Sequence, residues 1–148
     1  MSKFNYKMQS ILNIKYKLEE QAKMDFAAAR LRLDEEEEKL ACLDRRKSDY
    51  ENEGRQLRID SLNVQELRDN KDAILQIEEF IVWQKTTVTE AQKELEKERQ
   101  KLKQVMQERK IQEKLREKAF TTFVQEENAR ESKEVDELTS YTYGQKRR

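Results

Sequence analysis

Every seventh residue from Met8 reads Met8, Lys15, Ala22, Ala29, Glu36, Leu43, Tyr50 and Leu57, and a companion series four residues on reads Leu12, Glu19, Phe26, Leu33, Leu40 and Lys47. Alternating spacings of four and three place both series on one stripe of an α-helix, so the first arm of the chain carries a heptad seam. Lys15, Glu19, Glu36 and Lys47 interrupt the stripe and weaken it, while the small Ala22 and Ala29 would let a partner helix come close. A second seam follows. Ile74, Ile81, Val88, Leu95 and Leu102 repeat every seven residues, with Ile77, Ala91 and Val105 in the companion series and Gln84 and Glu98 as interruptions. Two such stripes in one chain predict an all-α fold, two long helices in an antiparallel coiled-coil hairpin.

The turn is expected between residues 54 and 63. Gly54 is one of only two glycines, Gly144 being the other, and the chain has no proline, so no other residue between the arms breaks a helix as strongly. The restart is better marked than the stop. Asn63 followed by Glu66 has the spacing of a capping box, and Leu62 and Leu67 stand at the two positions of a hydrophobic staple, so a helix should begin at Val64. The reading is a single helical-hairpin domain over 1–148, with a first helix over about 4–53, a turn or short helix near 54–63, a second helix over 64–138 and a flexible tail over 139–148. A short connection makes the helices antiparallel neighbours. Folding about position 60 sets Leu33 beside Val88 and Met8 near Gln112, and leaves everything beyond that point without an intramolecular partner.

Composition narrows the class. The 148 residues are 42% charged and 35% apolar, too polar for a compact globule of that length and suited to a thin helical rod. The 31 basic and 31 acidic residues cancel, which argues against a nucleic-acid partner. There is no histidine, and two glycines 90 residues apart cannot build a phosphate loop, so no catalytic residue, metal site or cofactor is expected. Cys42 is the only cysteine; without a second thiol or a histidine beside it, it reads as a packing thiol with no assigned role. The longest strongly apolar run, Phe80-Ile81-Val82-Trp83, is far too short for a transmembrane segment, and the stretch after Met1 lacks the pattern of a secretory signal. The expectation is a cytoplasmic protein.

Some features point to recognition, each beside a plainer reading. The run Asp34-Glu35-Glu36-Glu37-Glu38 is either a docking patch for a basic partner or a solvated helix face. Phe80 and Trp83 flank Ile81 and are too large for one narrow seam, so one of them should face outward, as a recognition residue or folded over the turn as packing. Phe120, Phe123 and Val124 reappear where the first arm should not reach, either as a partner-binding face, as a surface for self-association, or covered by a first helix in another register.

The order of these features resembles the flagellar export protein FliJ family over nearly the whole length. The opening Phe4-Asn5-Tyr6-Lys7-Met8-Gln9-Ser10-Ile11-Leu12-Asn13-Ile14-Lys15 is similar to that family's N-terminal pattern, and Ser132-Lys133-Glu134-Val135-Asp136-Glu137 is similar to its Lys-Glu-apolar-Asp-Glu stretch. The resemblance implies a non-enzymatic, stalk-like coiled coil of the bacterial flagellar type III protein export apparatus. It would couple the hexameric flagellar export ATPase to the cytoplasmic domain of the export gate and assist export of flagellar substrates. It would sit in the cytoplasm, peripherally associated with the apparatus at the inner face of the cell membrane, with export chaperones as further candidate partners. An ungapped comparison places the family's gate-binding positions at Lys39, Leu43, Arg46 and Tyr50 on the first helix and at Phe80, Gln84, Thr87 and Ala91 on the second. Leu43, Tyr50 and Phe80 match the family pattern and are the candidate partner-binding residues, although Leu43 and Tyr50 also lie on the seam and could be core. The alternative function is a dimeric coiled-coil spacer whose defective seam is completed between chains.

Overall fold

The structure is a computed structural model describing residues 2–60 and 63–146. It consists of two α-helices, α1 (Gln9–Asp60) and α2 (Val64–Lys146), packed against one another with no strand among the described residues. By contacts the chain divides into two compact units, one formed by Met1–Glu20 and Lys103–Arg148 and the other by Gln21–Leu102.

In the Gln21–Leu102 unit the two seams meet as their spacing requires. Ala29 and Leu33 of α1 and Val88, Ala91 and Leu95 of α2 form one buried cluster, with Phe26 and Leu40 packed on it. Ala91 is 0% exposed, so α1 comes close to its backbone, as a methyl side chain in the seam allows. A leucine or valine fully covered in such a seam contributes about 1.5–3 kcal/mol of transfer free energy. Cross-links fall antiparallel. Gln84 Nε2 donates to the Glu36 carbonyl at 2.9 Å and to Glu36 Oε2 at 2.6 Å, Lys47 Nζ lies 3.5 Å from Glu78 Oε1, and Asn70 Nδ2 donates to the Tyr50 carbonyl at 2.8 Å. Glu36 and Gln84, which look like defects in their own arms, are therefore partners across the seam, whereas Glu98 pairs only with Lys101 of its own helix and leaves its buried Oε2 without a hydrogen bond among the described residues.

The turn is shorter than the sequence suggests. α1 does not stop near Glu53 but continues through Gly54 to Asp60. Gly54 lies seven residues beyond Lys47, so it extends the companion series of the seam, and it is buried. No glycine among the described residues has the positive φ of a helix-terminating glycine. Gly54 is glycine because of Asn70: a Cβ built there would meet the Asn70 amide, with Oδ1 closest and Cγ at 3.2 Å. The restart is as expected. Asn63 Oδ1 accepts from the backbone N–H of Gln65 at 3.0 Å and of Glu66 at 3.2 Å, which caps the start of α2 at Val64. Leu62 of the proposed staple lies outside the described residues.

In the other unit, Leu12 and Tyr6 are buried and charged groups supply most of the cross-links. Arg109 grips Glu19 with two bonds, Nε to Oε2 at 2.7 Å and Nη2 to Oε1 at 3.2 Å, and reaches Glu113 Oε2 with Nη1 at 3.0 Å. Lys15 Nζ donates to Glu108 Oε2 at 2.9 Å, Tyr16 Oη to Glu113 Oε1 at 2.6 Å, Arg116 Nε to Gln9 Oε1 at 2.9 Å, and Tyr6 Oη to Gln112 Oε1 at 3.2 Å. Beyond Val105 the seam continues with charge in place of apolar side chains: Arg109 takes the next position, and Glu19 receives it.

Three expectations fail, wholly or in part, in this unit. The first helix begins at Gln9, not near Phe4, and residues 2–6 are non-helical. The register in this unit, set by Glu19 on Arg109 and Gln9 on Arg116, lies several residues further along α2 than folding about position 60 gives, and it brings Phe4 to Phe120 and Phe123. Phe4 stacks edge-on against Phe120 with ring centroids 5.2 Å apart and lies 5.4 Å from Phe123, Arg116 sits over its ring, and Arg130 donates to Ser2 Oγ. The stretch from Gln112 to Arg130 therefore has an intramolecular partner, although Phe120 stays 48% exposed, while residues 131–145 are exposed as expected. The supposed tail from residue 139 is also helical as far as Lys146, with Gln145 Nε2 donating to Tyr141 Oη one turn back at 2.7 Å.

Candidate functional site

The Gln21–Leu102 unit carries a groove of about 450 Å³ between α1 and α2. Its α1 wall is Glu38, Lys39, Cys42, Leu43 and Arg46, residues that share a face because they recur at helical spacings of four and three. Its α2 wall is Phe80, Trp83 and Gln84, one turn of helix beside the buried Ile81. Leu43 and Gln84 are half-buried and form the floor, while Phe80 is 50% and Trp83 77% exposed. Of Phe80 and Trp83, both face outward. Large aromatic side chains left open to water beside an aliphatic floor are the composition of interface anchors.

Charges around the groove are mostly paired within the chain. Lys39 Nζ lies 3.3 Å from Glu36 Oε1, and Arg45 Nη2 reaches Glu38 Oε1 at 3.2 Å and Cys42 Sγ at 3.1 Å. The bond from Gln84, and secondarily Lys39, holds the Glu36 carboxyl below the usual glutamate range. Glu38, then Cys42, holds the Arg45 guanidinium more firmly protonated. Arg46 makes no ion pair with any described residue. The run Asp34 to Glu38 is thus not a uniform acidic face: Glu36 is turned into the helix contact and Glu38 is bridged to Arg45.

Of the three candidate residues, the structure brings Leu43 and Phe80 together in this groove. Tyr50 is half-buried two turns away and lines a second recess with Glu53, Leu57, Glu66, Asp69, Asn70 and Ala73, where its carbonyl accepts the bond from Asn70. Lys39, Arg46 and Gln84, at family positions where this chain departs from the pattern, also line the groove; Ala91 is core, and Thr87 donates its hydroxyl to the Trp83 carbonyl at 3.2 Å. Cys42 is a groove residue that sequence reasoning left without a role, and Trp83 one that it left open between recognition and packing. The available signal was their spacing, since Cys42 precedes seam residue Leu43 and Trp83 precedes seam residue Gln84, so both flank the stripe on the same side.

Among the described residues no group of acidic and cysteine side chains could hold a metal ion, and no helix is long and apolar enough to cross a membrane. The model of a family described as flagellar FliJ protein matches residues 4–148. No curated protein and no solved structure matches the chain.

Proposed function

The chain belongs to the flagellar FliJ protein family, a non-catalytic component of flagellar protein export, and from that premise we propose that it couples the hexameric export ATPase to the cytoplasmic domain of the export gate. The groove would be the gate-docking surface, with Leu43 as floor and Phe80 as anchor. Its meeting of these two residues, one from each helix, is the observation that carries the reading. Tyr50 would extend the contact toward the turn. The protein would assist export of flagellar substrates at the inner face of the cell membrane within the type III secretion machinery on which flagellum biogenesis and chemotaxis depend, with export chaperones as further partners.

The spacer alternative required a seam completed by a second chain. Here Ala29 and Leu33 are covered by Val88, Ala91 and Leu95 of the same chain, so nothing in the seam calls for one.

The test is reconstitution. The full chain is added to the purified export ATPase, with and without the cytoplasmic domain of the gate, and capture of both partners and the rate of ATP hydrolysis are followed. Coupling predicts capture of each and a faster rate; capture of neither, with an unchanged rate, would sink it.

A further inference from the structure

We propose that Arg46 sets the specificity of the groove, and that its occupant is a peptide segment carrying an aromatic or aliphatic side chain within about one turn of a carboxylate. The inference rests on the docking reading and names the chemistry of the partner.

The argument is one of charge complementarity around an apolar floor. Lys39 is committed to Glu36, and Glu38 to Arg45, so the one wall charge without an ion-pair partner among the described residues is the Arg46 guanidinium. A side chain seated against Leu43, Phe80 and Trp83 displaces water from that wall, including water that solvates Arg46. Removing water from a cation is unfavourable unless the incoming molecule supplies acceptors, and a carboxylate meets a guanidinium with two parallel bonds. A basic segment at the same place would bring like charge against Arg46, so the groove selects against it as well as for an acidic one. This reverses the expectation raised by the acidic run Asp34 to Glu38, which taken alone would attract a basic partner. A free amino acid or small acid would use only part of an open trough formed by two helices, whereas a peptide segment can fill the floor and reach Arg46 together.

Arg46 is exposed and touches none of the buried cluster, so its replacement should leave the fold intact. The experiment measures binding of the full chain to the cytoplasmic domain of the export gate by calorimetry at low and high salt, for the wild type, Arg46→Lys, Arg46→Gln, Arg46→Glu and Phe80→Ala. Circular dichroism checks that each melts as the wild type does. Arg46→Gln should weaken binding on the order of tenfold and flatten its salt dependence, Arg46→Glu should weaken it further, and Arg46→Lys should retain most of it. If Phe80→Ala abolishes binding while Arg46→Glu leaves affinity and salt slope unchanged, the docking reading stands and the carboxylate is wrong. Tighter binding by Arg46→Glu would mean a basic occupant and overturn the proposal. Failure of the wild type to bind at all would remove the docking reading and this inference together. A concentration-dependent change in the emission of Trp83, the one tryptophan of the chain, in the absence of any partner would mean that a second copy fills the groove instead.

Discussion

The Gln21–Leu102 unit and the unit of Met1–Glu20 with Lys103–Arg148 use the same two helices and hold them together differently. The first buries Ala29, Leu33, Val88, Ala91 and Leu95 in one cluster. The second relies on Lys15–Glu108, Glu19–Arg109–Glu113 and Tyr16–Glu113, with Leu12 as the one fully covered large side chain among its described residues. Apolar burial is non-directional and insensitive to moderate salt. Ion pairs are directional, fix the register of one helix on the other, and respond to pH and, where exposed, to salt. The lesson is that a seam interrupted by charge need not be a poor seam: it can be a specific one, provided the interruptions of one helix face those of the other. It also implies that the ionic unit opens first under stress while the apolar unit, which carries the groove, keeps its shape.

Breaking the apolar unit should have the largest effect. Leu95→Pro removes a helix hydrogen bond inside the buried cluster and clashes with the preceding turn, at a cost of about 3 kcal/mol or more, with the lost cluster packing in addition. Circular dichroism should show a large loss of helix and of thermal stability; an unchanged melt would mean that Leu95 is not in a stable seam. In the ionic unit, Arg109→Met withdraws two bonds from the Glu19 carboxylate, a residue 5% exposed, and should lower the melting temperature clearly, though less than Leu95→Pro. Adding Glu19→Leu should recover much of that loss, because an apolar pair of similar volume replaces the buried charge. A double variant no better than the single one would show that the pair is not the relevant unit.

Gly54→Ala should come next, with an inverted sign. At a solvent-facing helical glycine, alanine usually stabilises by about 0.4–1 kcal/mol. Here the new methyl meets the Asn70 amide, which is held by its bond to the Tyr50 carbonyl, so a loss of about 1–2 kcal/mol is expected. Asn70→Ala should convert the effect of the alanine from loss to gain, as thermal melts of the wild type, the two single variants and the double variant would reveal.

That position also shows how far sequence reasoning reaches. The seam residues Ala29, Leu33, Val88 and Leu95 were legible because heptad spacing alone puts them on one face. The cap at Asn63 was legible because its chemistry is local. Gly54 was misread because glycine carries two meanings, helix breaker and space for a close neighbour, and the neighbour here is 16 residues away across the turn. Glu19 and Glu36 looked like defects for the same reason: their partners Arg109 and Gln84 lie 90 and 48 residues on, and only the register between helices brings them together. Phe120 and Phe123 looked uncovered because folding about position 60 misplaces the register at the start of α1, which is fixed by long-range side-chain pairs such as Glu19–Arg109 and matches the alternative of a first helix in another register. Of the candidate site, Leu43 and Phe80 came from family resemblance; their meeting in one groove, and the unpaired charge of Arg46 on its wall, needed the packing of α1 on α2.

Acid should produce a smaller difference between the units. The Lys15 bond holds Glu108, and the Tyr16 and Arg109 bonds hold Glu113, below the ordinary glutamate range. A carboxyl with a depressed folded-state pKa stabilises fully above its unfolded value, and that contribution is lost as pH falls through the folded value. The ionic unit should therefore loosen below about pH 4.3. Glu36 behaves in the same sense in the apolar unit, but there the buried cluster remains. Amide NMR signals of residues 9–20 should lose dispersion at a higher pH than those of residues 26–40; the reverse order would contradict the division of labour.

The most direct measurement is of one substitution with almost no effect on the fold. Phe80→Ala in the full chain should leave the melting temperature within a degree or two of wild type, since Phe80 is half exposed and outside the buried cluster. It should weaken binding to the cytoplasmic domain of the export gate by more than ~1 kcal/mol, as removal of an interface anchor does. A large fall in melting temperature with undiminished affinity of the folded fraction would make Phe80 a core residue and contradict the assignment of the groove as the docking surface.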